Sequence, residues 1–179
     1  MKNLKTLVAG VVIATASLGS GVMAADITTP PQALNLVGTS AFFGDAFDID
    51  QMNDTFADQF TFSVTGSVPS NFDAIVSSIS RTAATGLDIT GLALFTGTGT
   101  SVATGSSLHS GAIDVWTLTT NNLEAGDYYL QVSGTMVSAT SGAFGGAVML
   151  APVPEPATYG LMLAGLGLVG FMARRRDSK

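Results

Sequence analysis

Cysteine is absent from the 179 residues, which excludes a zinc ribbon, a disulfide scaffold, a thiol enzyme and a lipidated cysteine anchor, because each needs a thiol. Histidine occurs once, at His109. Basic residues are nearly confined to the ends: Lys2 and Lys5 at the start, Arg174, Arg175, Arg176 and Lys179 at the finish, and Arg81 alone between them. Residues 25–153 thus carry ten Asp and one Glu against one Arg, a net charge of about −10. A body of that sign repels a phosphate backbone, which argues against nucleic acid as a partner. With 46% hydrophobic and 11% charged residues, the chain has material for one ordinary domain plus appendages.

The two ends read as address labels. Lys2 and Lys5 precede an apolar stretch from Leu7 to Leu18, and small residues follow up to Ala24. That order is a secretory signal peptide over residues 1–24, cleaved between Ala24 and Ala25. It implies export by the Sec machinery and processing by signal peptidase. At the other end, residues 152–179 begin around Pro154-Glu155-Pro156 and continue with an uncharged stretch over 157–173. Seventeen residues is the lower limit for a membrane-spanning helix, so a single C-terminal transmembrane helix is expected there. Arg174, Arg175 and Arg176 follow at once and would stay cytoplasmic, leaving the acidic body on the far side of the membrane. Gly165-Leu166-Gly167-Leu168-Val169-Gly170 matches G-x-G-x-x-G, but it lies inside the apolar span, without the strand and acidic residue that dinucleotide binding requires.

Pro154-Glu155-Pro156, the glycine-containing apolar helix and the arginine cluster together resemble the PEP-CTERM sorting tail of Gram-negative bacteria. The resemblance implies recognition by exosortase, a sorting enzyme of the inner membrane usually encoded with exopolysaccharide genes, and processing near the Pro-Glu-Pro. A second motif, Phe56-Ala57-Asp58-Gln59-Phe60, together with the stretch Leu123 to Gly134 and the tail, is similar to the FxDxF subgroup of these proteins. That likeness transfers location and architecture, not activity.

The body, residues 25–151, reads as short strands separated by Gly, Ser, Thr and Asn. Phe60, Phe62 and Val64 alternate with Thr61, Ser63 and Thr65, the period of a strand with one buried face. Gly66 to Asn71 ends it. Ile75–Ser80, Leu87–Phe95, Ala112–Thr119, Tyr128–Ser133 and Gly142–Leu150 follow as further candidates, with strands extending from about residue 33. In the fourth candidate the pattern leaves open whether Ile113, Val115 and Thr117 or Asp114, Trp116 and Leu118 face the core. The expected fold is all-β, an antiparallel, jelly-roll-like β-sandwich.

Phe56, Asp58 and Phe60 share one strand face, so Asp58 must be paired or hydrogen-bonded there. A structural role, receiving a neighbouring backbone N–H, is expected of it. Catalytic patterns are scarce: a Ser-His-Asp triad would have to use His109, whose surroundings read as a solvated loop, and no G-x-S-x-G elbow occurs. Glu124 and Asp127 flank a turn. No enzyme activity and no cofactor are expected. Asp45, Asp48, Asp50, Asp54 and Asp58 are oxygen donors of the kind Ca²⁺ takes, but their spacing is not that of an EF-hand; solvated acids are the default and no metal is assigned. Trp116, Tyr128 and Tyr129 are the available sugar-stacking rings, with Trp116 expected in the core and one of the tyrosines outward.

These readings converge on an exported, exosortase-processed protein of the cell surface or extracellular matrix. Its expected role is non-enzymatic, structural or adhesive, linked to exopolysaccharide and compatible with self-association. A carbohydrate- or Ca²⁺-binding module is the alternative, and a secreted hydrolase comes last.

Overall fold

Five inward side chains alternate with Ala57, Gln59, Thr61 and Ser63 from Phe56 to Val64, and this stretch is the spine of one sheet in the computed structural model, which describes residues 24–66, 68–153 and 156–176. Among the described residues ten strands precede one helix: β1 (Gln32–Ala33), β2 (Ser40–Phe47), β3 (Thr55–Val64), β4 (Ser70–Ile79), β5 (Leu87–Thr96), β6 (Ser101–Thr104), β7 (Ser106–His109), β8 (Ile113–Leu123), β9 (Gly126–Met136), β10 (Gly142–Pro152) and α1 (Pro156–Arg176). They form two five-stranded sheets, in the orders β1-β3-β9-β5-β6 and β2-β10-β4-β8-β7. From β2 to β5, and again from β8 to β10, successive strands alternate between the sheets, the winding of a jelly-roll sandwich. Every named pairing is antiparallel except β1 with β3.

Aromatic rings lock the sheets together. Phe56, Phe60 and Phe62 of β3 meet Phe43 and Phe47 of β2, Phe72 of β4 and Phe144 of β10, with Phe62 and Phe72 stacked at 5.0 Å and Phe56 and Phe144 at 5.5 Å. Leu87, Leu92, Leu94, Leu130 and Val132 complete the inner surface of the first sheet. Two glycines make room for rings. A Cβ at Gly134 would strike the Phe56 ring, and one at Gly146 the Phe43 ring.

Several strands run beyond the stretches expected from pattern. Residues Ser70 and Asn71, read as part of a turn, open β4, where a register shift between Ser70 and Phe72 absorbs the irregularity. β2 escapes the apolar pattern because Gly44 and Asp45 interrupt it. His109, expected in a solvated loop, ends the edge strand β7, paired with β8; it is nevertheless exposed, and its Nδ1 lies 2.7 Å from the Ile113 carbonyl oxygen. In β8 the inward face is that of Asp114, Trp116 and Leu118.

The tail helix forms over Pro156–Arg176. Among the described residues no helix is long and apolar enough to cross a membrane; the helix nevertheless covers the whole of 157–173, the stretch expected to be helical. Leu161, Leu163, Leu166, Leu168, Val169 and Phe171 are exposed, and a Cβ added at any of the four glycines would meet nothing within 4 Å. The signal-peptide residues Met1 to Met23, and Pro154 and Glu155 of the sorting motif, lie outside the described residues.

Candidate functional site

The segment that follows Ala24 lies along the edge of β3 and brings the Phe56-Asp58-Phe60 motif into a network. Thr55 donates its N–H to the Ala25 carbonyl at 2.9 Å, and Ile27 donates to the Thr55 carbonyl at 2.9 Å. Ala57 N–H reaches Thr28 Oγ1 at 2.9 Å, and Leu34 N–H reaches the Thr61 carbonyl at 2.8 Å. The strap thus covers backbone groups that an open edge would expose.

Asp58 stands between the inward rings of Phe56 and Phe60 and is 0% exposed. Its Oδ1 accepts the Thr29 N–H at 2.8 Å and lies 3.2 Å from Thr29 Oγ1. The same hydroxyl lies 2.7 Å from Asp45 Oδ2, which also takes a hydrogen bond from Gln32 Nε2 at 3.2 Å. One hydroxyl has one proton, so Thr29 serves the two carboxylates in turn. Asp58 Oδ2 is buried without a partner among the described residues. Burial pushes the Asp58 carboxyl above the usual carboxylate range; the Thr29 N–H opposes this, while the charges of Asp45 and Asp26 add to it.

A carboxyl raised in the folded state contributes stability that is complete below its unfolded value, near 3.9, and is lost as pH rises through the folded value. Asp58→Asn removes that titration. The melting temperature of the variant relative to the unsubstituted protein is expected to be highest at pH 7–8 and to fall as the pH is lowered toward about 4. Parallel melting profiles across that window would show that Asp58 does not titrate on unfolding.

The other acids disperse. Asp48 lines a cleft, Asp50 sits in a left-handed turn with φ of 66°, and Asp54 receives the Ala25 N–H at 2.7 Å. Among the described residues no three acid or histidine side chains converge as a metal site would require. Asp114, not singled out from sequence, is the better-satisfied buried acid. It is 1% exposed and accepts hydrogen bonds from Ser78 Oγ at 2.8 Å, Gly111 N–H at 3.0 Å and Ile89 N–H at 3.2 Å. Nearby Asp88 has its carboxyl pushed up by burial and then by the Asp114 charge.

The cleft of about 760 Å³ opens at one end of the sandwich, where β2, the β4–β5 connection and the β9–β10 connection meet. Ser80, Thr85, Thr140 and Ser141 supply hydroxyls, Arg81 a guanidinium, Asp48 a carboxylate and Ile79 an apolar rim. Its volume is in the range that holds a few sugar rings. Arg81 is exposed, and it is the single Lys or Arg of residues 25–153. Sequence reasoning counted this arginine but had no signal for the cleft, whose lining comes from segments far apart in the chain.

Of the three candidate stacking rings, two turn inward. Trp116 donates its Nε1–H to the Ile89 carbonyl at 2.9 Å, and Tyr128 donates its hydroxyl to the Glu124 carbonyl at 3.0 Å. Tyr129 faces outward on β9 and stacks on Phe95 of β5 at 5.0 Å, on the face that also carries Gln131. Glu124 and Asp127 flank the turn that carries the chain from β8 in one sheet to β9 in the other, and Asp127 Oδ1 accepts the Ser63 hydroxyl at 2.6 Å.

The sorting residues cluster at the opposite end of the sequence. β10 ends at Pro152, and Val153 donates its N–H to the Pro69 carbonyl at 2.9 Å, so the sandwich holds the chain up to the residue before Pro154. Pro156 opens α1, Arg174 is exposed on it, and Arg175 and Arg176 complete it. No curated protein matches the chain. The family model of the PEP-CTERM protein-sorting motif matches residues 152–176, the stretch that begins where the last strand ends, so the chain carries the tail of an exported, exosortase-targeted protein whose precursor is membrane-anchored.

Proposed function

We propose that the body delivered by this tail is a non-enzymatic structural or adhesive component of the cell surface or extracellular matrix that holds exopolysaccharide. Export, processing by exosortase near Pro154-Glu155-Pro156, and membership of the FxDxF subgroup through Phe56, Asp58 and Phe60 belong to the same reading. The observation that carries it is the cleft around Arg81. In a body of about −10 net charge, the one cation lines the end cleft among four hydroxyl side chains. A guanidinium donates hydrogen bonds to sugar oxygens, and hydroxyls exchange hydrogen bonds with sugar hydroxyls.

The outer face of the second sheet supports the adhesive aspect. Phe42, 87% exposed, shares that face with Ile75, Ile79, Ile113 and Met149, and Asp73 is the acid between them. Apolar faces of this kind mark contact surfaces. The Tyr129–Phe95 pair favours a second reading, a discrete carbohydrate-binding module that uses ring stacking. A Ca²⁺ site would have to be built on Asp45 and Asp58, and a hydrolase on His109, Glu124 or Asp127; both readings rank below.

Titration calorimetry with neutral dextran separates these readings. Arg81→Ala is expected to weaken dextran binding about tenfold, as loss of hydrogen bonds from a charged donor implies. Dextran binding that Arg81→Ala leaves unchanged would overturn the assignment of the cleft and direct attention to Tyr129.

A further inference from the structure

We propose that Asp54 is the receptor for the α-ammonium group created when the chain is cut between Ala24 and Ala25. The proposal rests on the export reading, which places the cut there, and adds a binding partner for its product.

Ala25 is held at both ends of its peptide unit. Its nitrogen lies 2.7 Å from Asp54 Oδ1, and its carbonyl oxygen accepts the Thr55 N–H at 2.9 Å. Ala24 and Ala25 are both exposed, and Ala25 is the first described residue that hydrogen-bonds to the body. Asp54 is mounted rigidly for this purpose. Its N–H reaches the Gln51 carbonyl at 3.0 Å, its carbonyl accepts the Met136 N–H at 2.9 Å, and the preceding Asn53 takes a left-handed φ of 72°.

Hydrolysis of the Ala24–Ala25 peptide bond consumes one water, leaves a carboxylate on Ala24 and an amine on Ala25, and the amine takes up a proton at neutral pH. The neutral amide donor in contact with Asp54 thereby becomes a cation, and the bond becomes charge-assisted and stronger. The titratable groups on the elements that hold this end of the chain are all acids: Asp54 before β3, Asp26 in the strap and Asp58 on β3. β9, which pairs with the other side of β3, carries Asp127 opposite Ser63, far from Thr55. Each acid favours the charged amine. Cutting therefore anchors the first residue of the strap whose Thr29 supplies the N–H to Asp58.

The test uses the full exported chain, processed by its own cell. Intact mass and N-terminal sequencing establish its first residue. The α-amine is then titrated by the pH dependence of its acylation by a small amine reagent, read at the N-terminal peptide. It is expected to titrate about half a pH unit or more above the ordinary range of about 7.7–8.0, and Asp54→Asn is expected to return it to that range in a chain that still melts cooperatively. An α-amine of ordinary titration, or one indifferent to Asp54→Asn, overturns the proposal while leaving the export reading intact. A processed chain that begins at another residue overturns the cut site itself, and the proposal with it.

Discussion

Truncating Phe56 to alanine is expected to lower stability by about 3–5 kcal/mol, measured by urea unfolding. The ring is 3% exposed, stacks on Phe144 at 5.5 Å with planes 8° apart, and lies 4.5 Å from Phe47, so it joins β3 of one sheet to β2 and β10 of the other. Removing it leaves a cavity between two sheets that cannot both close over it. The partner test lies across the strand pair at Gly134, where an added Cβ would meet the Phe56 ring and lie 2.5 Å from the Asp88 carbonyl oxygen. Gly134→Ala is therefore expected to cost about 1–3 kcal/mol by overpacking. In the Gly134→Ala background, Phe56→Leu should cost less than it does alone, because part of the clash is relieved. A loss under about 1 kcal/mol for Phe56→Ala would show that the ring does not carry the contact between sheets.

Asp114→Ala is expected to cost about 3 kcal/mol or more, against about 1 kcal/mol for Ser78→Ala. The carboxylate gathers Ser78 Oγ from β4, the Ile89 N–H from β5 and the Gly111 N–H from the β7–β8 turn. Alanine leaves three donors in a region where the acid itself was 1% exposed, whereas Ser78→Ala removes one donor and leaves the carboxylate two others. The larger loss follows from that asymmetry: an unmet buried donor costs its full desolvation. Equal losses for the two variants would mean that the Ile89 and Gly111 amides find other acceptors once the carboxylate is gone. Asp114→Ala should also draw the Asp88 carboxyl back toward its ordinary value, since the Asp114 charge is one cause of its rise.

Much of the sandwich was legible in the order of residues. Phe60, Phe62 and Val64 alternate with polar neighbours, and burial requires that pattern to form a strand with one inward face. The tail was legible for a different reason. A sorting signal is read by other proteins as a linear order of chemistry, here Pro154-Glu155-Pro156, an apolar stretch and Arg174 to Arg176, and it needs no partner elsewhere in the chain to be recognised. Asp58 was legible in outline, because a carboxylate between two inward phenylalanines must find a donor. That the donor is Thr29, 29 positions earlier with β1 and β2 in between, was not.

Only the tertiary structure decided the rest. The pattern of β8 allowed either face to be buried, and Asp114 turns inward because donors from β4, β5 and a turn happen to converge on it. β2 could not be read because Gly44 and Asp45 break its apolar run; Asp45 is tolerated there because Thr29 and Gln32 reach it. The cleft around Arg81, the Tyr129–Phe95 pair and the contact of Ala25 with Asp54 each join residues from separate strands or loops. The sequence by itself determined the sorting tail of this protein and the class of its fold, because a sorting signal and strand periodicity are local. Its sites were decided by the packing of two sheets, because a site is made of distances between residues that the chain order does not contain.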